Sequence, residues 1–255
     1  MSLPESSVHD GPHPSFDRPP ADSKLWRYLD LPKYLAMLDT ASLWFSRADL
    51  LGDPFEGSMS QANVRLRPEV YKGQIPSSAL ESMAAYRAQE VRHTYVSCWH
   101  ENEHESAAMW RLYSVGHGIA VQTNYDRMRS ALHYGSAIFV GRVRYVDYTS
   151  DWISEADSFA PFVHKRLSFR HEREVRAVVS DFTRRPGTDE VGAGLDRQNP
   201  PPGVAVDVDL ELLIQEVRVS PEAPSWFAGA IRGATERYGF VFPVVQSALA
   251  VDPVY

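Results

Sequence analysis

The stretch Tyr95–Thr123, YVSCWHENEHESAAMWRLYSVGHGIAVQT, constrains this chain most, because its order of patterns admits few arrangements. Tyr95–Trp99 is a short run of β-favouring residues, and a helix is predicted to begin at Asn102 or Glu103. Ser106, Met109, Trp110 and Tyr113 recur at i, i+3, i+4 and i+7, which is one face of that helix. Gly116 and Gly118 end it, and Ile119–Thr123 returns to extended structure. A polar corner with large aromatics pinned behind it reads as a site carried on a core.

The neighbouring patterns extend the same mixture. Lys24–Tyr28 reads as a strand, followed from about Leu31 by a helix with Asp30 as cap and Pro32 in its first turn. Leu31, Tyr34, Leu35 and Leu38 form its apolar stripe, and Ser42–Arg47 is a second strand. Asp49–Gly57 is a loop built on a Gly-Asp-Pro-Phe turn, and Ser60–Pro76 is weakly patterned. Ser78 with Glu81 makes a capping box for a helix over Ser78–His93. Ile138–Tyr148 is strand-like with Gly141 as a bulge, and Asp151–Lys165 is partly helical, anchored by Trp152, Phe159 and Phe162. Leu167–Val179 is read as one strand with a charged first half. Thr183–Gly203 is a mobile loop, Val204–Val208 and Glu216–Ser220 are strands, and Phe240–Val245 is a last one. Pro224–Tyr238 is a helix with Phe227, Ala230, Ile231, Ala234 and Tyr238 inward and Gly239 at its end. Residues 1–23, rich in proline, are expected as a disordered leader before a single globular domain over 24–255. No steady βαβ rhythm appears, so the expected class is α+β, an irregular, largely antiparallel sheet with flanking helices.

A net charge of −7 without a basic block argues against non-specific binding to nucleic acid or anionic membrane. The single cysteine, Cys98, rules out an intrachain disulfide framework and fits a reducing compartment. No apolar run is long enough to span a bilayer and no signal-peptide core begins the chain, so a cytoplasmic location is expected.

Four groups of residues carry candidate chemistry. His100-Glu101-Asn102-Glu103-His104 satisfies H-E-x-x-H, but zinc chemistry needs both histidines one turn apart on a formed helix, and here His100 follows a strand-like run. A polar turn with Asn102 as N-cap and Glu105 at N3 is the plainer reading. Glu172 and Glu174, two apart in a predicted strand, would share a face with Arg176, while Val175, Ala177 and Val179 face the core. Paired carboxylates repel unless something uses or neutralises them, and Arg170, Arg173 and Arg176 offer an ion-pair ladder as the alternative. Arg27, between Trp26 and Tyr28, is either packed on aromatics or a clamp for phosphate or carboxylate. Arg47, Asp49, Asp53 and Glu56 make an acidic loop that either lines a ligand site or is a structural turn. Cys98 reads as a small core residue, and His100 as a substrate-orienting or simply satisfied polar group.

Four phrases carry a family resemblance: LWRYLDLPKYLAMLDTASLWFSRADLLGDPFEG, SCWHENEHESAAMWRLYSVGHGIAVQT, KRLSFRHEREVR, and VSPEAPSW through VVQS. Over about Leu25 to Leu249 the chain resembles the bacterial family catalogued as domain of unknown function 2971. That resemblance implies no activity and only hints at phage defence. The order of the pieces is also similar to that of ADP-ribosyltransferases of the Arg–Ser–Glu class. There an Arg sits on the first strand, a Ser ends a strand before a helix, and Glu-x-Glu opens a later strand. The likeness implies Arg27, Ser97 and Glu174 in those roles, with Glu172 as the first Glu. Ser97-Cys98-Trp99 stands where that class has Ser-Thr-Ser, and its glycine-rich phosphate loops have no counterpart here.

The implied substrate is NAD, with no metal. Arg27 would hold the pyrophosphate, and Glu174 would stabilise oxocarbenium charge and fix the ribose. Glu172 would orient water or an acceptor, either protein or nucleic acid. Tyr95, Trp99 or Trp110 would stack on nicotinamide, with His100, Tyr113, Arg47, Asp53 and Glu56 completing the ligand-binding set. Two alternatives stand beside this enzyme: a non-catalytic sensor binding a small molecule in the same cleft, and a metal-dependent hydrolase or nuclease using His100, His104 and the acidic loop.

Overall fold

Local signals set the first three elements. In the computed structural model, which describes residues 6–9, 11–114, 116–134, 136–181, 198–251 and 253, strand β1 (Lys24–Leu29) runs into helix α1 (Leu31–Thr40). Asp30 caps α1 by accepting the Lys33 N–H at 2.9 Å, and Ala41 leaves the helix in the left-handed region at φ 44°. Strand β2 (Ser42–Arg47) returns. Helices α2 (Gln61–Val70) and α3 (Ser77–Arg92) precede β3 (Thr94–Glu101), then α4 (Ala107–Tyr113), β4 (Ile119–Asn124), α5 (Tyr125–Ala131) and β5 (Leu132–His133). The second half holds β6 (Phe139–Arg142), β7 (Arg144–Val146), β8 (His164–Arg166), β9 (Glu174–Ser180) and β10 (Gly203–Val208). It closes with α6 (Leu210–Leu213), β11 (Glu216–Val219), α7 (Ser225–Arg237) and β12 (Val244–Gln246).

The fold is mixed α+β on an open, largely antiparallel sheet with flanking helices. Its strand order is β12-β11-β4-β1-β3-β2-β10-β5, with β9 also on β3 and β6 on β9. Only β11–β12 in that sheet pair in parallel among the described strands, while β7 and β8 form a separate parallel pair. Strand β3 pairs with β9 along Thr94–His100. Its other edge is shared: β1 takes Trp26↔His100 and Leu25↔Glu101, and β2 takes Arg47↔Tyr95 and Ser46↔Val96. The two partners therefore part at Ser97–Trp99 and leave a fork in the sheet.

Period two divides the residues around that fork. One face buries Leu25, Phe45, Tyr95, Trp99, Val175, Ala177 and Val179 with α1, α5 and α7 in the main core. The other carries Trp26 and Tyr28 against Met109 and Trp110 of α4, and Val96 and Val178 against Phe16, Phe159 and Phe162. Among the described residues no helix is long and apolar enough to cross a membrane.

Several expectations need correction. Strand β3 runs on to Glu101, so α4 starts late and Ser106, not Asn102, is its N-cap, accepting from the Met109 N–H. The helix predicted from a Ser78 box is capped by Pro76 without a side-chain bond, because the chain already enters from an extended proline. The weakly patterned Ser60–Pro76 contains α2, held by Ser60 accepting from the Asn63 N–H. Tyr238 and Ala230 are exposed, and Phe227, Ile231 and Thr235 are the buried face of α7. The run Ile138–Tyr148 splits into β6 and β7, and Gly141 is no bulge. It pairs in register with Arg176, and a Cβ there would meet the Phe16 backbone at 2.9 Å. Phe16 belongs to residues 6–23, which are not a disordered leader where described. Val8 bridges Ile138, Asp17 bridges Arg142, and Phe16 packs among Phe139 and Phe159. Burying Val8 and Phe16 outweighs the proline content. Of the expected mobile loop Thr183–Gly203, residues 183–197 lie outside the described residues.

Glu105 ties the C-terminal segment to the centre. Its carboxylate accepts from Trp110 Nε1 at 2.8 Å, Ser247 Oγ at 2.6 Å, Arg218 Nη1 at 2.9 Å and the Ala248 N–H at 2.6 Å. Burial pushes this carboxyl upward, but the bonds from Ser247, Trp110, Arg218 and Ala248 outweigh it and hold it below the usual range. Glu105→Ala strands four donors and is expected to cost about 3–5 kcal/mol, lowering the melting temperature by roughly 10 °C. A depressed carboxyl stabilises above its unfolded pKa and loses that contribution as pH falls through the folded value. Acid titration of the melting temperature should therefore be shallower in the variant than in wild type.

Candidate functional site

A cavity of about 930 Å³ opens over the fork. Its walls come from β1, β2, α1, the loop carrying Gly52, Asp53 and Glu56, helix α4, and the Lys165–Glu174 segment. Divergence of β1 and β2 creates the space, because the backbone between them has no strand to fill it.

Arg27 occupies the fork. Its Nη1 donates to Ser97 Oγ at 2.5 Å, its Nη2 donates to the Trp44 carbonyl at 2.8 Å, and its guanidinium carbon lies 5.7 Å from the Trp99 ring. No carboxylate pairs with it among the described residues. Burial lowers its pKa to about 10, while the Cys98 side chain acts slightly in the other direction. A desolvated cation without an anion is a charge awaiting a partner.

The far side of the cavity is a buried ionic network. Arg176, 1% exposed, donates Nη1 and Nη2 to the two oxygens of Glu56 at 2.8 Å each, and Nε to Glu174 at 2.6 Å. Lys165 reaches Glu172 at 2.5 Å, Glu174 at 3.1 Å and Glu56 at 3.4 Å. Glu172 and Glu174 do not share a strand face as predicted. A 3₁₀ turn over Leu167–Glu172 and a left-handed Arg173, φ 42°, separate them. They meet because the turn folds Glu172 back over Lys165. Glu174 does share its face with Arg176, as period two requires. Burial opposes ionisation of Glu174, but Arg176 and then Lys165 hold its carboxyl well below the ordinary range. Burial and then the Glu174 charge push Glu172 up, so of the pair Glu172 is the more basic. The Tyr113 hydroxyl donates to its other oxygen at 2.8 Å.

The remaining predicted residues separate. Ser97 lies on the main-core face, opposite Glu174, and accepts from Arg27 and from Trp99 Nε1 at 3.1 Å. It orients the guanidinium. Tyr95 is fully buried in the main core, Trp110 is tied to Glu105, and Arg47 pairs with Asp49 and the Pro200 carbonyl. None of these three lines the cavity. Trp99, His100, Tyr113, Asp53 and Glu56 do, although Asp53 is bound by Arg166 at 2.6 Å. Cys98 lines it too, and burial pushes its thiol up to about 12, so it is no thiolate nucleophile. His100 is on β3 and His104 is exposed in the turn before α4, so HENEH presents no histidine pair one helical turn apart. Among the described residues no group of three or more His, Cys, Asp or Glu is placed to hold a metal ion.

Sequence reasoning missed Lys165, Tyr28 and Phe169 as cavity residues. Lys165 left no local signal, since Glu172 reaches it only through the 3₁₀ turn and Glu56 comes from a distant segment. Trp26-Arg27-Tyr28 did carry one, because an alternating aromatic–cation–aromatic strand puts both rings on the face opposite the cation. Comparison with protein-family models, with curated proteins and with solved structures finds no match to this chain.

Proposed function

We propose that the cleft binds a phosphorylated nucleoside of the NAD⁺ kind and that the chain acts as an ADP-ribosyltransferase or NAD glycohydrolase-like enzyme. The observation that carries the reading is charge placement. An unpaired guanidinium, Arg27, stands in the same cavity as a fixed carboxylate, Glu174, and a more basic one, Glu172. The anion goes to Arg27 and the ribose toward the carboxylates. As the bond from ribose C1′ to nicotinamide breaks, its electron pair leaves on the nicotinamide nitrogen, and negative charge at Glu174 stabilises the oxocarbenium centre. Water or an acceptor hydroxyl adds to C1′ and gives its proton to Glu172. Phage defence, the setting that the family resemblance suggests, belongs to the same proposal.

Nicotinamide release from NAD⁺, followed chromatographically, tests this. Glu172→Gln is expected to slow release by roughly 10²–10⁴-fold with the fold intact. Because Glu172 must be ionised to accept a proton and its pKa is raised, the acid limb of the wild-type rate profile should lie above the ordinary carboxylate range. The same raised pKa stabilises the fold below the unfolded value, and this is lost as pH rises through the folded one, so the variant's stability should vary less with pH. One observation favours a binding-only sensor: both Glu174 oxygens are already engaged, by Lys165 and by Arg176. Wild type that binds NAD⁺ and releases no nicotinamide would select that reading.

A further inference from the structure

His100 presents a proton balance that the fold leaves open. Its Nδ1 lies 2.5 Å from the Glu172 carbonyl oxygen. A carbonyl has no proton to give, so Nδ1 carries the hydrogen and Nε2 carries a lone pair. The residue is 6% exposed, it lines the cavity, and Nε2 is buried without a hydrogen-bond partner. Burial lowers the pKa of the ring against the opposing pull of the Glu172 carbonyl, keeping it neutral. Buried acceptors are rarely left unmade in native folds, because the unmet desolvation is costly.

Tyr28 lies beside it, with ring centroids 6.5 Å apart, on the same face of the sheet. Its oxygen accepts the Ser106 N–H at 2.7 Å, so its own O–H remains to donate. Burial pushes that phenol up to about 12, and it stays protonated. An acceptor and a donor on neighbouring rings complement one group above all others. A hydroxyl accepts from Tyr28 and donates to His100. A carboxylate has no proton for Nε2, and a phosphate, although it keeps an O–H near neutral pH, would bring its anionic oxygens against the Nε2 lone pair.

We infer that Tyr28 and His100 form a hydroxyl-binding subsite, which selects ligands bearing a sugar-type hydroxyl besides the anionic group taken by Arg27. The anionic part rests on the reading under Proposed function, whereas the hydroxyl part stands on the Tyr28–His100 geometry alone. Inorganic phosphate alone should be held weakly, and a phosphosugar more tightly.

Calorimetry with inorganic phosphate and ribose 5-phosphate, together with ¹⁵N-histidine NMR, tests this. Ribose 5-phosphate is expected to bind about 10- to 100-fold more tightly than phosphate. The advantage should disappear in Tyr28→Phe and in His100→Phe. In wild type the His100 Nε2 resonance should shift on saturation with ribose 5-phosphate, while Nδ1 stays protonated. Equal affinities with an unmoved Nε2 resonance overturn the subsite and leave the anion reading standing, as would be seen if a fixed water already occupied it. If neither ligand binds, the anion reading fails. The hydroxyl subsite is then judged by neutral ribose at high concentration: a shifted Nε2 upholds it and an unshifted one removes it. The wild-type arms need no variant, so misfolding of either substitution cannot decide the result.

Discussion

Arg176→Met is expected to unfold the protein at or near ordinary temperatures. The substitution keeps much of the side-chain volume and removes the guanidinium that gives two buried carboxylates three hydrogen bonds between them. Glu56 would lose both of its 2.8 Å bonds and Glu174 its 2.6 Å bond, and the Phe162 carbonyl would lose a donor at 2.8 Å. Lys165 stays near both, at 3.4 Å from Glu56 and 3.1 Å from Glu174, but it also serves Glu172 at 2.5 Å and cannot supply the lost fork of donors. Removing one partner of a buried ion pair costs about 3–5 kcal/mol, against a typical total stability of 5–15 kcal/mol. Arg176→Lys keeps a charge but not the fork, and should fall between. The pH dependence has a definite sign. Wild-type Glu174, held low, contributes stability above its unfolded pKa and loses it as pH falls through the folded value. In the variant the same carboxyl keeps only Lys165 and gains from protonation, so the two melting curves should approach each other toward acid. Thermal denaturation by circular dichroism from pH 2 to 8 reads both effects. A variant that melts within a few degrees of wild type at pH 7 would mean that water reaches these carboxylates.

What the sequence made legible was local, and what it hid was pairing at a distance. Strand β1, helix α1 and strand β2 were readable because Asp30, Pro32 and the apolar stripe act within a few residues of themselves. Helix α4 was displaced because Asn102 and Ser106 are both acceptable caps. Which of them caps depends on β3 running on to Glu101, and that depends on pairing with β1. RHEREVR fits a strand template along its whole length. Its first half nonetheless turns back, because a buried Lys165 offers Glu172 a partner that a straight strand could not reach. The set Arg27, Ser97 and Glu174 was named from order alone. Two of the three do touch, but alternation puts Ser97 and Glu174 on opposite sides of β3 and β9, and only the register of the pairing reveals that. Lys165 and the Tyr28–His100 pair needed coordinates, since their meaning lies in which atoms are left without partners.

Arg27→Met should have the opposite balance: little or no loss of stability with a large loss of binding. At neutral pH the half-buried guanidinium has neutral partners only, Ser97 Oγ and the Trp44 carbonyl. Its pKa, lowered to about 10 by burial, means that the folded state binds fewer protons than the unfolded one above that value. Stability therefore rises with pH between there and the ordinary arginine range, and at pH 7 the full cost of holding the charge is in force. Replacement by an apolar chain of similar length removes that cost. Ser97 Oγ keeps the Trp99 Nε1–H as a donor, and the bond lost at the Trp44 carbonyl is an exposed one. The melting temperature of Arg27→Met should thus equal or exceed that of wild type. Affinity for an anionic ligand should fall by roughly 10- to 100-fold, the worth of charge-assisted hydrogen bonds to a desolvated cation. Differential scanning fluorimetry and calorimetric titration with inorganic phosphate and NAD⁺ separate the two effects. A large drop in melting temperature with unchanged affinity would make Arg27 the pin that holds the fork in shape. A stable variant that no longer takes the anion would make it a charge that the fold tolerates for the sake of a ligand, because no structural role explains keeping an unpaired cation where methionine would do.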